Sequence, residues 1–442
     1  MAREMKDSGI EWLGYVPKAW VVRQLKSCVN VLRGGSPRPI DEYLTDDIDG
    51  LNWIKIGDTE KGKRYINSVR QKIKKSGLSK TRQVHRGDLL LTNSMSFGEP
   101  YILNVDGCIH DGWLVFTDIK EIDKEYLYYF LLSPTCKDQF SITADGGVVQ
   151  NLNIEKVQSS IILLPVISEQ HKIVDFLDSK CAEIDKAIEA TKASIEEYKK
   201  LRQAIITEAV TKGLDPNVEM KDSGIEWIGE IPATWTSMPT KNMFLIGKGL
   251  SITKDNLEET GVPTISYGQI HAKYNTGTHL DDRMFRYVNE SYLQSNKQSL
   301  VHKGCFVFAD TSEDLEGCGN CVYADREGEF FAGYHTVTLF PKECEDNKYF
   351  AYLFRTNEWR RQIRSVLTEV KVYSVSQKII RRTSIIIPPA SEQKEICSYL
   401  DTKCAEIDSI IVDKQKQLET LAEYRKSLIY EYVTGKKEVP TA

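Results

Sequence analysis

Residues 168–211 read "SEQHKIVDFLDSKCAEIDKAIEATKASIEEYKKLRQAIITEAVT", and residues 391–434 read "SEQKEICSYLDTKCAEIDSIIVDKQKQLETLAEYRKSLIYEYVT". The two align without a gap over 44 residues at a shift of 223. Neither contains Pro or Gly; Ser followed by Glu-Gln suits a helix start, and Gly213 and Gly435 suit helix ends. Leu177, Cys181, Ile184, Ile188, Ile195, Tyr198 and Ile205 fall on the a and d positions of a heptad repeat. Leu400, Cys404, Ile407, Ile411, Leu418, Leu421 and Leu428 fall on the matching seam. Such a helix runs about 65 Å, longer than a globular domain needs. Two seams in one chain pair most simply with each other, and the order of segments predicts an antiparallel pair. Thr191 against Lys414 and Arg202 against Arg425 interrupt the seams, as register-setting residues or as Arg stems reaching solvent. Cys181 and Cys404 read as small apolar seam residues.

The repetition extends outward. "MKDSGIEWLGYVPKAW" at 5–20 returns as "MKDSGIEWIGEIPATW" at 220–235, with eleven of sixteen positions identical at a shift of 215. "EYLYYFLLS" at 125 matches "KYFAYLFRT" at 348, and "VHRGD" at 84 matches "VHKGC" at 301. The chain is a tandem duplication, 5–219 and 220–442, with well-kept ends and diverged middles. Trp12 and Trp227, with Trp20 or Trp235, are expected to pack each globular part onto the helices. Those parts read as mixed: "LNWIKIGD", "GDLLLTN", "CIHDGWLVFT" and "SSIILLP" as strands, "KEYLYYFLLSPTCKDQF" as an amphipathic helix. In the second copy "VPTISYGQI", "CFVFAD", "YHTVTLF" and "NKYFAYLFRTNEWRRQI" take their places. The expected fold is α/β (α+β): globular domains at 1–166 and 214–389, and two long antiparallel coiled-coil helices at 167–213 and 390–435 related by a pseudo-two-fold.

The chain of 442 residues carries 41% apolar and 27% charged residues, near globular averages. Its charged first residues do not read as a secretory leader and no long apolar run occurs, so a cytoplasmic location away from membranes is expected. Ten cysteines then read as mostly reduced, buried thiols. Net charge is -5, but Lys61 to Arg86 contains ten Lys or Arg and no acid, and Arg355 to Arg382 contains eight bases against two acids. Local basic stretches on a mildly acidic chain fit a nucleic-acid-binding protein with additional protein-binding surfaces. Solvated loops in a protein-only scaffold are the alternative.

The doubled Asp-Ser-Gly-Ile-Glu-Trp phrase, a variable segment, and Ser-Glu-Gln opening a long helix together resemble the specificity (S) subunit of Type I restriction-modification systems over essentially the whole chain. The resemblance implies two target recognition domains, each reading one part of a bipartite, asymmetric double-stranded DNA target. The helices would set the spacing and dock two modification (methyltransferase) subunits. S-adenosylmethionine would be bound by those partners and no cofactor by this chain; two restriction (nuclease/translocase) subunits are optional further partners in phage defence.

The same resemblance points to DNA-facing loops. In the first domain these are "RGGSPRP" at 33–39, with Arg33, Ser36 and Arg38, then Lys55, the basic residues Lys61, Lys63, Arg64, Lys72, Lys74 and Lys75, then Asn93, Ser94, Gln150 and Asn151. In the second they are Tyr267, Gln269, His271, Lys273, Thr311, Ser312, Lys371, Tyr373 and Ser374. Glycines at 34 and 35 would let the backbone approach DNA. Lys and Arg supply phosphate contacts; Asn and Gln are the better base readers. No Asn/Asp-Pro-Pro-aromatic tetrapeptide, glycine-rich cofactor loop or phosphate loop occurs, so catalysis by this chain is not expected. "CGNC" at 318–321, near His302, Cys305 and His335, lacks a spaced second pair, and no metal site is assigned.

Overall fold

The computed structural model describes residues 3–60, 62–94, 98–142, 152–343, 346–368 and 371–440. It divides into two compact units, Met1–Lys192 with Gln415–Ala442, and Ala193–Lys414. The boundaries therefore fall inside the long helices, Ile167–Lys212 and Ala390–Val433, and not at their ends. The reason is packing. Half of each helix lies against half of the other and against one globular part, so the linear division at 166, 213 and 389 follows the chain but not the cores.

Both units show antiparallel pairing of helix halves. In the first, Phe176 meets Tyr432 with ring centroids 4.5 Å apart and Asp185 pairs with Arg425 at 3.1 Å. In the second, Lys414 lies over the Tyr198 ring and Arg202 pairs with Asp408 at 3.3 Å. Leu177, Ile184, Ile195, Leu400 and Ile407 are buried, whereas Ile188, Ile411 and Leu418 are half-buried. The Arg residues that interrupt the seams are half-buried in ion pairs between helices, beside Cys181 and Cys404, so the same clasp is built twice. That geometry favours the register reading over free stems. The helices end at Gly213 and Gly435, where φ of +78° and +68° suits glycine.

In the first unit, one five-stranded sheet runs Asn30–Arg33, Trp113–Thr117, Leu89–Thr92, Pro100–Leu103, Tyr65–Ile66. A second runs Leu44–Thr45, Lys72–Ile73, Leu51–Ile54, Gly107–Ile109, Arg82–Val84. Leu89, Leu91, Leu114 and Phe116 face the helices, while Leu90, Trp113 and Val115 face the second sheet. Two-sided burial explains the unbroken apolar runs in these strands. The second unit repeats the plan with two four-stranded sheets; Phe306 and Phe308 point one way, Val307 and Ala309 the other. Each expected amphipathic helix is two helices. Lys124–Leu132 stops before Pro134, which offers no N–H, and Lys348–Leu353 stops where the Thr356 side chain caps the next helix.

The doubled phrase forms a hairpin in each unit, Met5–Asp7 with Tyr15–Pro17 and Met220–Asp222 with Glu230–Pro232. Its final tryptophan is the anchor. Trp20 and Trp235 are fully buried, and their indole N–H groups donate to Glu169 (3.0 Å) and Glu392 (2.9 Å), the Glu of each Ser-Glu-Gln. Tyr126 and Tyr349 donate to the last-turn carbonyls of Val433 and Val210. Trp12 departs from expectation: it is 47% exposed, and Trp227 is half-buried beneath Arg361. Every described cysteine is a free thiol and all but Cys397 are buried. Among the described residues no helix is long and apolar enough to cross a membrane.

Candidate nucleic-acid interface

In the first unit the loop after Asn30–Arg33 closes onto the turn joining Gly107–Ile109 to Trp113–Thr117. A Cβ on Gly34 would lie 2.1 Å from the His110 carbonyl oxygen, and one on Gly35 2.8 Å from that of Lys80. The glycines make room for the protein's own backbone. Asp111 organises the loop. Its carboxylate accepts from Ser36 Oγ (2.7 Å) and pairs with Arg38 (3.3 Å). Its carbonyl accepts from Arg33 Nε and Asn93 Nδ2, both at 2.9 Å. The Ser36 hydrogen bond holds the Asp111 carboxyl below the usual range. Beneath it His110 accepts the Gly112 N–H on Nδ1, and burial pushes its pKa down.

The other first-domain residues sort by their partners. Arg38, Lys63, Lys74 and Lys75 are exposed. Lys74 reaches the Glu42 carbonyl, Lys72 that of Ile48, and Lys55 the Gln71 side chain. Arg64 belongs to the scaffold: its side chain is 15% exposed, pairs with Asp178 and Glu125, and lies over Tyr128 at 4.5 Å. Asn93 is buried with its amide spent on Asp111, and Ser94 is half-buried beside it. Arg64 and Asn93 are thus both engaged within the protein. Lys61, Gln150 and Asn151 lie outside the described residues.

The second unit makes the same backbone crossing with other side chains on top. A Cβ on Gly249 would lie 2.0 Å from the Gly333 carbonyl oxygen. Gly249 is Gly34 shifted by 215, and Gly333 is His110 shifted by 223. The position of Asp111 is Tyr334, followed by His335, and both rings pack edge-on against Tyr267 at 5.7 and 5.4 Å. Gln269 caps the turn by accepting the Ser266 N–H, as Asp58 accepts that of Lys55. His271 bonds Thr311 O through Nε2 (2.8 Å) and Asn320 through Nδ1. Thr311 and Ser312 pair with Ser374 and Tyr373 in a two-stranded ladder. Lys273 and Lys371 are exposed. A cavity of about 560 Å³ opens here, lined among others by Tyr267, His271, Ser312, Asp314, Glu316 and Asn320. Arg33, Arg38 and Asp111 therefore surround the crossing in one copy, and Tyr267, Tyr334 and His335 in the other.

The model of the family described as Type I restriction modification DNA specificity domain matches residues 17–197 and again 232–420. The chain belongs to this family. Its two matches coincide with the two copies of the duplication. The MjaX specificity subunit of Methanocaldococcus jannaschii is 24% identical, over 97% of this chain and 96% of that protein. The EcoKI specificity subunit of Escherichia coli is 22% identical, over 90% and 84%. A chain solved in work on complex assembly and conformational transition of the type I R-M system shares the fold, with a TM-score of 0.71, 15% identity, and 96% and 99% of the two chains covered. The HsdS subunit from Thermoanaerobacter tengcongensis gives a TM-score of 0.51 at 14% identity, over 96% and 98%.

In a specificity domain the Asp111 hub has a testable consequence. Asp111→Ala releases Ser36 and Arg38 and removes a negative charge from the candidate interface. Discrimination at the first half-site falls by about tenfold or more, on the scale of one good base contact, while discrimination at the second half-site is unchanged. Competition binding with duplexes mutated in one half at a time measures both.

Proposed function

We propose that this chain is the DNA-reading subunit of a Type I restriction-modification complex, that it recognises two different short sequences separated by a fixed gap, and that it performs no catalysis. One observation carries this: Gly34 on His110 and Gly249 on Gly333 repeat a single backbone crossing, yet the side chains above it differ in chemistry. Two identical readers would demand a palindrome, as two-fold dimers do; two diverged readers on one repeated frame demand an asymmetric target. Arg33 and Arg38 suit phosphate or guanine acceptors, whereas Tyr267, Tyr334 and His335 of the second copy suit a different base pattern. The long helices act as ruler and as the docking face for two modification subunits. Those subunits bring S-adenosylmethionine, and restriction subunits join where nuclease activity is present. A cytoplasmic complex follows from that role.

Selection of the reconstituted complex on randomised duplexes tests the reading. Two unrelated short elements at one constant gap are expected. A palindrome, or a single element, overturns it.

A further inference from the structure

The strongest unassigned feature lies in the second unit, where Arg355 and Arg360 line a cavity of about 120 Å³ together with Gln203, Asn275, Thr276 and Asn320. The two arginines are placed by glycines. A Cβ on Gly277 would come 3.2 Å from Arg355 Cδ, and one on Gly319 3.1 Å from Arg360 Cγ, so both stems lie along bare backbone. Arg360 Nε donates to the Phe354 carbonyl at 2.8 Å. Arg355 Nη1 is shielded from solvent and donates no hydrogen bond among the described residues.

Neither arginine forms an ion pair with a carboxylate among the described residues. The acids nearby are engaged elsewhere: Asp408 with Arg202 at 3.3 Å, and Glu358 with the Thr207 hydroxyl at 3.3 Å. Burial and the neighbouring Arg202 push the Arg355 pKa down; burial, Arg355 and Arg364 bring that of Arg360 down to about 10. Both side chains are half-buried; cations drawn partly out of water without a paired carboxylate are costly, and water answers their hydrogen bonds but not their charge. The space equals about four water molecules, enough for one tetrahedral oxyanion. A guanidinium fork matches such an oxyanion with two parallel bonds, which a halide cannot accept.

We propose that Arg355 and Arg360 form a binding pocket for a phosphate group; Asn275, whose amide donates to the Ile270 and Cys321 carbonyls, and Gln203, whose amide donates to the Arg355 carbonyl and the Thr207 hydroxyl, frame it. Asn320 lines both this pocket and the larger cavity beside Tyr267 and His271, so the pocket adjoins the candidate interface. The phosphate is either free inorganic phosphate or a backbone phosphodiester of bound DNA. Only the second source rests on the DNA-reading function.

The full chain is melted in inorganic phosphate and in chloride at matched ionic strength and pH. Phosphate raises the midpoint saturably above chloride in the wild type; Arg360→Gln loses the effect, and Arg355→Lys, which keeps the charge but not the fork, weakens apparent phosphate affinity about tenfold. Duplex binding separates the sources. For a DNA phosphate, inorganic phosphate competes with duplex at constant ionic strength, and Arg360→Gln lowers the slope of log affinity against log salt by about 0.9. For a free anion, the thermal effect remains while duplex binding ignores both phosphate and the substitution. A wild type that phosphate does not stabilise beyond chloride, combined with an unchanged salt slope in Arg360→Gln, overturns the pocket. Phosphate stabilisation in a chain that binds no duplex keeps the pocket and removes the DNA reading.

Discussion

Insertion of one heptad into both long helices, after Thr191 and after Lys414, is expected to lengthen the preferred gap between half-sites by about three base pairs and to leave the half-sites themselves unchanged. Seven added residues extend a helix by about 10.5 Å, and each base pair of duplex occupies about 3.4 Å. A heptad returns the seam to nearly the same face, so Ile188 and Ile195, or Ile411 and Leu418, still meet apolar partners. At the original gap only one half-site is then read at a time, and affinity falls at least about a hundredfold, towards the non-specific level. The measurement is selection on duplexes with randomised gap length. If the half-sites change while the gap stays constant, the helices do not act as a ruler.

Trp235→Ala is expected to cost about 3–5 kcal/mol, the range for deleting a fully buried aromatic side chain. The ring is completely buried, packs edge-on against Tyr349 at 6.2 Å, and ties the hairpin to the start of the second long helix through Glu392. Glu392→Gln retains an acceptor for the indole and costs about 1 kcal/mol. Trp12→Ala, at an exposed ring of the same repeated phrase, stays within about 0.5 kcal/mol. Urea unfolding followed by far-UV circular dichroism ranks the three. Equal losses for Trp12→Ala and Trp235→Ala would show that the phrase acts as a whole and not through its final tryptophan.

The contrast between these tryptophans shows where sequence reading stops. Trp12 and Trp20 belong to one repeated phrase, yet only Trp20 meets the glutamate that opens a long helix 149 positions later. Arg64 and Lys74 stand in one basic run. Asp178 of the first long helix takes Arg64 into the scaffold, while Lys74 stays exposed. Asp111 and Tyr334 escaped the sequence reading because each sits in a short turn between apolar strands. Alignment of "IHDGW" with "AGYHT" at the 223 shift is the one signal that marks them as equivalent and diverged. Arg355 and Arg360 were legible only as members of a basic stretch.

The duplication, the long helices with their glycine ends, the apolar seams, the two-sided strands and the family were determined by the sequence by itself. Each rests on a periodicity or an identity that is local along the chain. Tertiary structure alone decided that the compact units divide within the helices, that Arg202 and Arg425 clasp opposing aspartates, and that Gly34 serves the backbone of His110. It also decided which polar side chains in the loops are already spent. Ser36 meets Asp111 across 75 positions, and a hydrogen bond between loops so far apart depends on the approach of two strands in space, which residue type does not encode.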